Sequence, residues 1–188
     1  MYLNGTVPFL QKTLGRGVTQ IKVVSGFEIE VSITVKNLYS FILFLKKHSL
    51  CLFSELTDLI CYDCPGKKYR FSLVYNFLSL KFNSRLRVSV KQHETKSKML
   101  SIMGLFRSAS WSEREVFDFY GLFFFENSDL RRILNDYGFK GFPLRKDFPL
   151  TGYIDTYYDD NTKKISYRKL ELSQEYRNFN FKTVWRFT

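Results

Sequence analysis

The sequence has no apolar run long enough to cross a membrane. The longest, 41–45, stops at Lys46-Lys47-His48, whereas a spanning helix needs about 20 apolar residues. The N-terminal stretch MYLNGTVPFLQKTLGRG also lacks the apolar segment of a secretory signal and the long Arg- and Ser-rich segment of an organellar import signal. We therefore expect a soluble chain without a direct membrane span. If it works in an organelle, we expect it to be synthesised there.

Cysteine and histidine are scarce, with three and two residues in a chain of 188. An odd number of cysteines without a secretory signal argues against a disulfide framework. Cys61 and Cys64 have the spacing of a metal or redox pair, but a zinc or iron–sulfur site normally needs four ligands, and only Cys51, His48 and His93 remain. We predict free thiols that pack as small apolar side chains in a reducing compartment, and no metal site.

Aromatic and basic residues, by contrast, are abundant. Hydrophobic residues make up 45% of the chain and charged residues 25%, a composition that folds. Twenty Phe and twelve Tyr exceed the need of one small core, so part of this aromatic surface is expected to meet another protein. The formal charge of +11 favours a polyanion, an anionic membrane or an acidic protein surface, and does not choose among them.

The first half of the chain predicts strands and one helix. Apolar and polar residues alternate over 27–35, the period of a half-buried strand. Asn37 is predicted to cap a helix whose apolar residues recur every three or four positions up to Lys47. Two further strands, 69–80 and 85–90, are predicted to form a hairpin.

The second half predicts two helices and a tail. Ser112 and Glu115 have the spacing of a capping box for a helix over 111–120, and Gly121 provides its stop. A shorter helix is predicted over 128–134. Beyond Gly138, frequent Gly and Pro prevent long regular structure. These patterns together predict an α+β fold, a two-layer domain over 1–137 with a mainly antiparallel sheet and helices on one side, followed by an extended partner-binding tail over 138–188.

Charged residues cluster on the helix over 111–120. Glu113, Arg114, Glu115 and Asp118 could include a general acid and base, but no histidine accompanies them. Arg114 and Asp118 are neighbours one helical turn apart. A helix stabilised by ion pairs is therefore the preferred interpretation, and no catalytic residue is assigned.

A basic segment gives a rival function. Nine Lys or Arg and one acid, Glu94, lie between 65 and 100, interleaved with aromatic residues. Such a surface can bind single-stranded RNA by charge and stacking. The characteristic RNA-binding motifs are missing, and a solvated basic face explains the charges equally well. A ribosomal or other RNA-binding protein remains the alternative at this point.

The segment 129–152 has the densest pattern of charge, glycine and proline. Arg131, Arg132 and Arg145 could bind carboxylates of a partner, and three phenylalanines, Phe139, Phe142 and Phe148, could fill its pockets. An ordinary surface loop is the other interpretation, and composition leaves the two about even.

Two longer stretches resemble a known family. SASWSEREVFDFYG over 108–121 and DLRRILNDYGFKGFPLRKDFPLTGY over 129–153 are similar to the NuoC-type (thirty-kilodalton, subunit nine) subunits of respiratory complex I. Shorter matches such as Arg70-Phe71 extend the likeness over about residues 30–187. The chain departs from the family pattern at Asn127-Ser128, where His-Pro is usual, and at Phe142, where His is usual.

The resemblance implies a non-catalytic structural and assembly subunit of the peripheral arm of proton-translocating NADH:ubiquinone oxidoreductase. It implies that FMN, iron–sulfur clusters and quinone are bound by other subunits, and it places the complex at the mitochondrial inner membrane, with this arm on the matrix side. The implied partners are the NuoD-type quinone-site subunit and neighbouring iron–sulfur subunits, with no nucleic acid.

The resemblance also gives a set of expected interface residues. They are Glu113, Arg114, Glu115, Asp118, Arg131, Arg132, Asp136, Arg145, Lys146, Asp147 and Phe148. Replacing Arg145 or Asp147 with Ala is expected to lower assembly by about 2 to 5 kcal/mol, because a charge on the partner would remain buried and unpaired.

Overall fold

A computed structural model describes residues 18–25, 28–96 and 98–179. Contacts divide the chain into two units, 1–148 and 149–188. The boundary predicted after residue 137 stays a prediction. Among the described residues, no helix combines the length and the apolar character needed to cross a membrane.

A five-stranded sheet forms the centre of the first unit. Its strands are β1 (Val18–Ser25), β2 (Glu28–Ile33), β3 (Glu55–Asp63), β4 (Phe71–Ser79) and β5 (Ser84–Gln92). The spatial order is β1-β2-β5-β4-β3, in which β2 and β5 run parallel and every other neighbouring pair is antiparallel. The prediction of a mainly antiparallel sheet is confirmed.

Local patterns correctly predicted β2 and the first helix, whereas β1 was not predicted. In β2 the residues Ile29, Val31 and Ile33 are buried and alternate with half-exposed neighbours; Phe27 lies outside the described residues. Helix α1 (Leu38–Lys47) buries the apolar positions that recur along one side. The expected cap is wrong, since the Asn37 side chain makes no capping hydrogen bond.

The core lies on one side of this sheet. Its largest fully buried side chains include Phe71, Tyr75 and Phe77 of β4. The buried residues of α1 belong to the same cluster as Ala109 and Val116 of helix α2 (Ala109–Tyr120). Both helices therefore cover one side of the sheet, as predicted. The opposite side carries mostly polar side chains.

Helix α2 begins earlier than predicted. Its N-cap is Ser108, which makes no side-chain capping bond, so Ser112 lies inside the helix and the expected Ser112–Glu115 capping box is wrong. The predicted stop is confirmed, because Gly121 takes the left-handed conformation that favours glycine, with φ of 75°. One short strand precedes the helix in the sequence, β6 (Lys98–Leu100), and one follows it, β7 (Phe123–Phe125). The two strands pair in parallel.

The helix predicted over 128–134 is not formed, since the structure has turns and irregular backbone there. The reason is a competing acceptor. Backbone N–H groups of Ile133, Leu134 and Asn135 donate to the carboxylate of Asp118 on α2. These donors are thereby bound to a side chain and not to the carbonyls of a preceding helical turn.

The second unit contains a hairpin, β8 (Ile154–Asp159) paired antiparallel with β9 (Lys164–Lys169). The sequence did not predict these strands. They are six residues each, and the Gly and Pro of this unit, Pro149 and Gly152, both precede β8. The rest of the described part of this unit has no helix or strand.

Candidate functional site

Three groups of interactions involve several of the predicted interface residues of the first unit. We call them the Glu113 site, the Asp118 site and the arginine clamp. The first two are built on α2, and the third joins residues 145–147 to the sheet. Each is described by its own donors and acceptors.

The Glu113 site lies in the interior. The carboxylate of Glu113 is fully buried and accepts hydrogen bonds from Ser101 Oγ (2.6 Å), the Ile102 backbone N–H (2.9 Å) and Asn127 Nδ2 (2.8 Å). Burial raises the pKa of Glu113, and the three hydrogen bonds oppose that rise only in part. The site fastens the residues after β6 and β7 to α2. Asn127, a departure from the family pattern, is one of its donors.

Arg114 points to a neighbouring loop. Its guanidinium stacks on Trp111, with 4.9 Å between the guanidinium carbon and the ring centroid, and its Nη2 lies 3.0 Å from Asp129 Oδ2. Arg131 Nε lies 3.2 Å from the same Asp129 oxygen. Arg114 therefore pairs with Asp129, not with its helical neighbour Asp118. The predicted ion pairs of this helix reach outwards to loops.

The Asp118 site holds the loop at 132–135. Five donors surround this fully buried carboxylate: Arg132 Nη1 (3.3 Å), the N–H groups of Ile133 (3.2 Å), Leu134 (2.9 Å) and Asn135 (3.0 Å), and Asn135 Nδ2 (2.7 Å). Burial raises the pKa of Asp118, but the hydrogen bonds from the loop together outweigh it and hold the pKa below its usual range. The charged Asp118 carboxylate thus binds the backbone N–H groups of residues 133–135.

The arginine clamp is centred on Arg70. Its guanidinium donates to both oxygens of the buried Asp63 carboxylate (2.8 and 2.9 Å) and to Glu94 Oε1 (2.7 Å), and its Nη2 lies 3.0 Å from Asp147 Oδ1. Asp63 also accepts the backbone N–H of Lys146 (2.8 Å). The bidentate bond from Arg70 holds the pKa of Asp63 below its usual range. The clamp joins 146–147 to the edge of the sheet.

Arg145 completes the clamp from the other side. Its Nε donates to the Tyr120 carbonyl at the end of α2 (2.7 Å), and its guanidinium carbon lies 4.5 Å from the ring centroid of Phe142 and 5.2 Å from that of Phe71. Phe142 in turn packs so closely on Gly121 that a Cβ there would lie 2.5 Å from the ring. Arg145 and Phe142 therefore have partners within the chain.

The predicted interface residues thus fall into two groups. Glu113, Arg114 and Asp118 are buried, and Arg132 and Arg145 are half-buried, all with partners inside the chain. Phe148 is half-buried and packs on Phe139 and Gly141. The others are exposed: Glu115, Arg131, Asp136, Lys146 and Asp147. Their role at an interface stays a prediction.

Several residues that build these sites were not predicted as site residues. They are Asp63, Arg70, Ser101, Asn127 and Asn135. Arg70 lies in one of the short stretches that resemble the family, which is the signal that could have found it. Ser101, Asn127 and Asn135 lie 12 to 17 residues from the carboxylates they bind, and Asp63 lies seven residues from Arg70 and 83 from Lys146.

The chemistry of the sites is that of anchoring. Carboxylates that accept several short hydrogen bonds have few free lone pairs for a substrate. Within the described residues, no group of three or more His, Cys, Asp or Glu could hold a metal ion. A cavity of about 240 Å³ lies elsewhere, near Glu28, Asn76 and Arg87, and no predicted interface residue lines it. Cys51 and Cys61 are buried, and burial raises the pKa of Cys51 to about 11.

The fold and these sites define an α+β domain whose charged motif residues hold its own loops. The family model described as "Respiratory-chain NADH dehydrogenase, 30 Kd subunit" matches residues 31–154. The chain belongs to this family. It is a subunit of the peripheral arm of NADH:quinone oxidoreductase, complex I, and works in a hetero-oligomer with other subunits.

Similar proteins agree over most of the chain. A subunit of the NADH-quinone oxidoreductase of Paramagnetospirillum magneticum is 46% identical over 93% of this chain and 91% of its own. NADH-ubiquinone oxidoreductase subunit 9 is 46% identical in Reclinomonas americana, over 87% of this chain and 79% of its own. The Acanthamoeba castellanii protein of that name is 52% identical over 79% and 75%. These matches give the RNA-binding alternative no support.

Two solved structures share the fold. A trypsin-resistant fragment (1–134) of Nqo5 superposes with a TM-score of 0.58 at 24% identity, over 69% of this chain and all of the fragment. A chain of the membrane-bound sulfane sulfur reductase, an archaeal respiratory membrane complex, gives a TM-score of 0.66 at 22% identity, over 78% of this chain and 85% of its own. The α+β fold class is thereby confirmed.

Proposed function

We propose that this chain is a non-catalytic structural and assembly subunit, and that FMN, iron–sulfur clusters and quinone are bound elsewhere in the complex. Its proposed neighbours are the NuoD-type quinone-site subunit and the adjoining iron–sulfur subunits. The proposed location is the matrix side of the mitochondrial inner membrane. The names of the two subunit 9 relatives specify ubiquinone, and we propose ubiquinone as the quinone of this complex as well.

The exposure of the second unit carries the proposal. None of its described residues, 149–179, is buried. Ten large apolar side chains in this stretch are exposed: Leu150, Tyr153, Ile154, Tyr157, Tyr158, Ile165, Tyr167, Leu172, Tyr176 and Phe179. A large exposed apolar surface of this kind marks a protein interaction site. Assembly through the second unit accounts for it.

The Nqo5 fragment gives independent support. In that protein a fragment ending at residue 134 resists trypsin. We infer the same division here, with a stable first unit and a second unit that gains order on its partners. Lys163, Lys164, Arg168, Lys169 and Arg177 are all exposed and would be cut in the free chain.

The exposed residues of the motif are the better candidates for partner contacts within the first unit. Glu115, Arg131 and Asp136 are exposed, whereas Glu113 and Asp118 are buried. An exposed charge that meets a partner contributes mainly to orientation and to the rate of association. We therefore assign these three to the interface and the buried pair to the fold.

Truncation tests the proposal. A chain that ends after Phe148 should fold, because the hydrogen bonds of the three sites all lie within 1–148. When cells express this truncated chain, native gels of their membranes should show complex I without it. The full chain, expressed in the same way, should be incorporated. Circular dichroism and trypsin resistance of the purified truncated chain check that it folds. Normal incorporation of a folded, truncated chain would refute the proposed role of the second unit.

The absence of an active site needs a separate measurement. Glu115→Gln and Asp136→Asn should leave NADH:quinone turnover unchanged when the rate is divided by the amount of assembled complex. A structural subunit alters how much complex forms and not how fast each complex turns over. A fall in turnover per complex, with normal assembly, would show that a carboxylate of this chain takes part in the reaction.

A further inference from the structure

The hairpin of the second unit sorts its side chains onto two chemically different faces. The register pairs Ile154 with Lys169, Thr156 with Tyr167 and Tyr158 with Ile165. Because directly opposed residues of antiparallel strands lie on one side, these six share a face, which we call the apolar face. The intervening residues of both strands lie on the opposite side, the paired face.

The paired face satisfies its own polar groups. Arg168 donates to Asp155 through Nε (2.9 Å) and approaches it with Nη2 (2.7 Å), and its guanidinium carbon lies 5.1 Å from the ring centroid of Tyr157. Asp159 accepts hydrogen bonds from the Asn161 N–H (3.0 Å) and Thr162 Oγ1 (2.9 Å). This face is suited to water.

The apolar face is largely exposed. Ile154 is 56% exposed, Tyr158 57% and Ile165 63%. A two-stranded hairpin is only marginally stable in water by itself, and needs a third strand or a packed face. The face that lacks cover is therefore the one whose burial would stabilise the hairpin.

Charge narrows the nature of the partner. Residues 149–179 contain five Lys or Arg (163, 164, 168, 169 and 177) and five Asp or Glu (155, 159, 160, 171 and 175), so their formal charge is zero. Lys182 and Arg186 bring the whole second unit, 149–188, to +2, and the whole chain carries +11; the six residues of the apolar face contribute one charge, that of Lys169. A face with a single charge that presents isoleucine and tyrosine fits an apolar surface better than an acidic one.

We propose, building on the function proposed above, that the hairpin docks with its apolar face down on an apolar surface of another subunit of the complex. Its paired face stays in water. Addition of a partner strand to the edge of β8 or β9 would use backbone groups and leave Ile154, Tyr158 and Ile165 in water. Docking by the face removes these side chains from water, and the affinity depends on them.

Adjacent tyrosines on opposite faces provide a matched test. Tyr158→Thr removes an aromatic ring from the apolar face, and Tyr157→Thr removes one from the paired face. Threonine keeps the preference for a strand in both variants. The full-length variants are expressed in place of the wild-type chain, and the fraction incorporated into complex I is measured on native gels.

Tyr158→Thr should lower the incorporated fraction by roughly tenfold, in line with the loss of a buried aromatic side chain. Tyr157→Thr should leave it within about twofold of wild type. Ile165→Thr should reproduce the loss, and Ser166→Thr, on the paired face, should not. Higher salt should not release the wild-type chain, because five of the six residues of the apolar face are uncharged and Lys169 alone adds little to the contact.

Three results would overturn the proposal. Equal losses for Tyr157→Thr and Tyr158→Thr would show that the hairpin binds by its edge or is needed only as a whole. Normal incorporation of Tyr158→Thr and Ile165→Thr, with loss of the chain truncated after Phe148, would leave the proposed function intact and reject the face. A wild-type chain that sediments as a dimer, with a monomeric Tyr158→Thr variant, would assign the face to a second copy.

Discussion

The segments 138–148 and 149–179 have similar residues and opposite surroundings. Both are rich in aromatic and charged side chains and contain Gly and Pro. In the first, Phe142 packs on Gly121, Phe148 packs on Gly141, and Arg145 binds the carbonyl of Tyr120. In the second, no described residue is buried. Segments of similar composition can thus have different roles in the same chain.

The first segment has hydrogen-bond acceptors of the α+β domain beside it. The first segment follows α2, whose C-terminal carbonyl accepts a hydrogen bond from Arg145, and it passes the buried carboxylate of Asp63. The Tyr120 carbonyl accepts from the Arg145 side chain, and the Asp63 carboxylate accepts from the Lys146 backbone N–H. The second segment forms internal pairs in its hairpin, and these occupy only one of its faces. The apolar side chains of the other face are exposed.

Replacing a fully buried acid of the first unit and a half-buried acid of the second gives the strongest contrast between the units. Asp118→Ala should lower the free energy of unfolding of the isolated chain by about 3 to 5 kcal/mol, because Arg132 and three backbone N–H groups lose their acceptor. Asp155→Ala, in the hairpin, should leave the urea midpoint unchanged. Equal midpoints for both variants would show that Asp118 does not hold the loop at 132–135.

A methyl group at Gly121 should break the packing of the first segment. Gly121→Ala places a side chain at φ of 75°, which costs about 1 to 3 kcal/mol, and it also collides with Phe142. Thermal unfolding of the isolated chain measures the loss. Gly104→Ala is the control, because its new Cβ would lie 4.0 Å from Tyr39 Oη, an ordinary contact distance. A similar change in both variants would argue against the close contact.

Arg145→Ala separates the two interpretations of the motif. The variant leaves the Tyr120 carbonyl without this donor, and we expect the isolated chain to lose about 1 to 3 kcal/mol. Hydrogen exchange should then rise in 142–148. Lys146→Ala should have little effect, since the Lys146 side chain is exposed and its backbone N–H still binds Asp63. Unchanged stability of Arg145→Ala together with poor assembly would favour the partner contact that the sequence predicted.

Acid should loosen the clamp. The pKa of Asp63 is lowered from 3.8, so the folded chain binds this proton less readily than the unfolded one. The stabilisation is present above about pH 3.8 and is lost as the pH falls through the lowered pKa. Urea midpoints between neutral and acid pH should therefore fall less for Asp63→Asn. Asp160→Asn in the second unit should retain the wild-type curve, and a wild-type curve for Asp63→Asn would contradict the prediction.

Prediction from the sequence succeeded where a local pattern decides the structure. The alternation of Ile29, Val31 and Ile33 and the spacing along α1 each need only neighbouring residues to be interpreted. The stop at Gly121 follows from a single residue type. The family resemblance needed longer stretches, 108–121 and 129–153, and the comparisons confirm it.

Prediction failed where distant residues compete for the backbone. The stretch 128–134 has helical spacing, yet Asp118 captures its N–H groups from α2. Strands β6 and β7 pair in parallel although α2 separates them in the sequence. A short sequence pattern does not predict such a pairing. The anchoring roles of Asp63 and Asn127 were missed for the same reason.

The sequence by itself determined the family, the α+β fold class and the elements with strong local periodicity, because periodicity and motif order are properties of the chain alone. The tertiary structure alone decided which charges of the motif are buried. Glu113, Asp118 and Arg145 carry the same charges as their exposed neighbours, and only the packing of loops against α2 gives them internal partners. Burial depends on what the rest of the chain places around a residue, and residue type does not encode it.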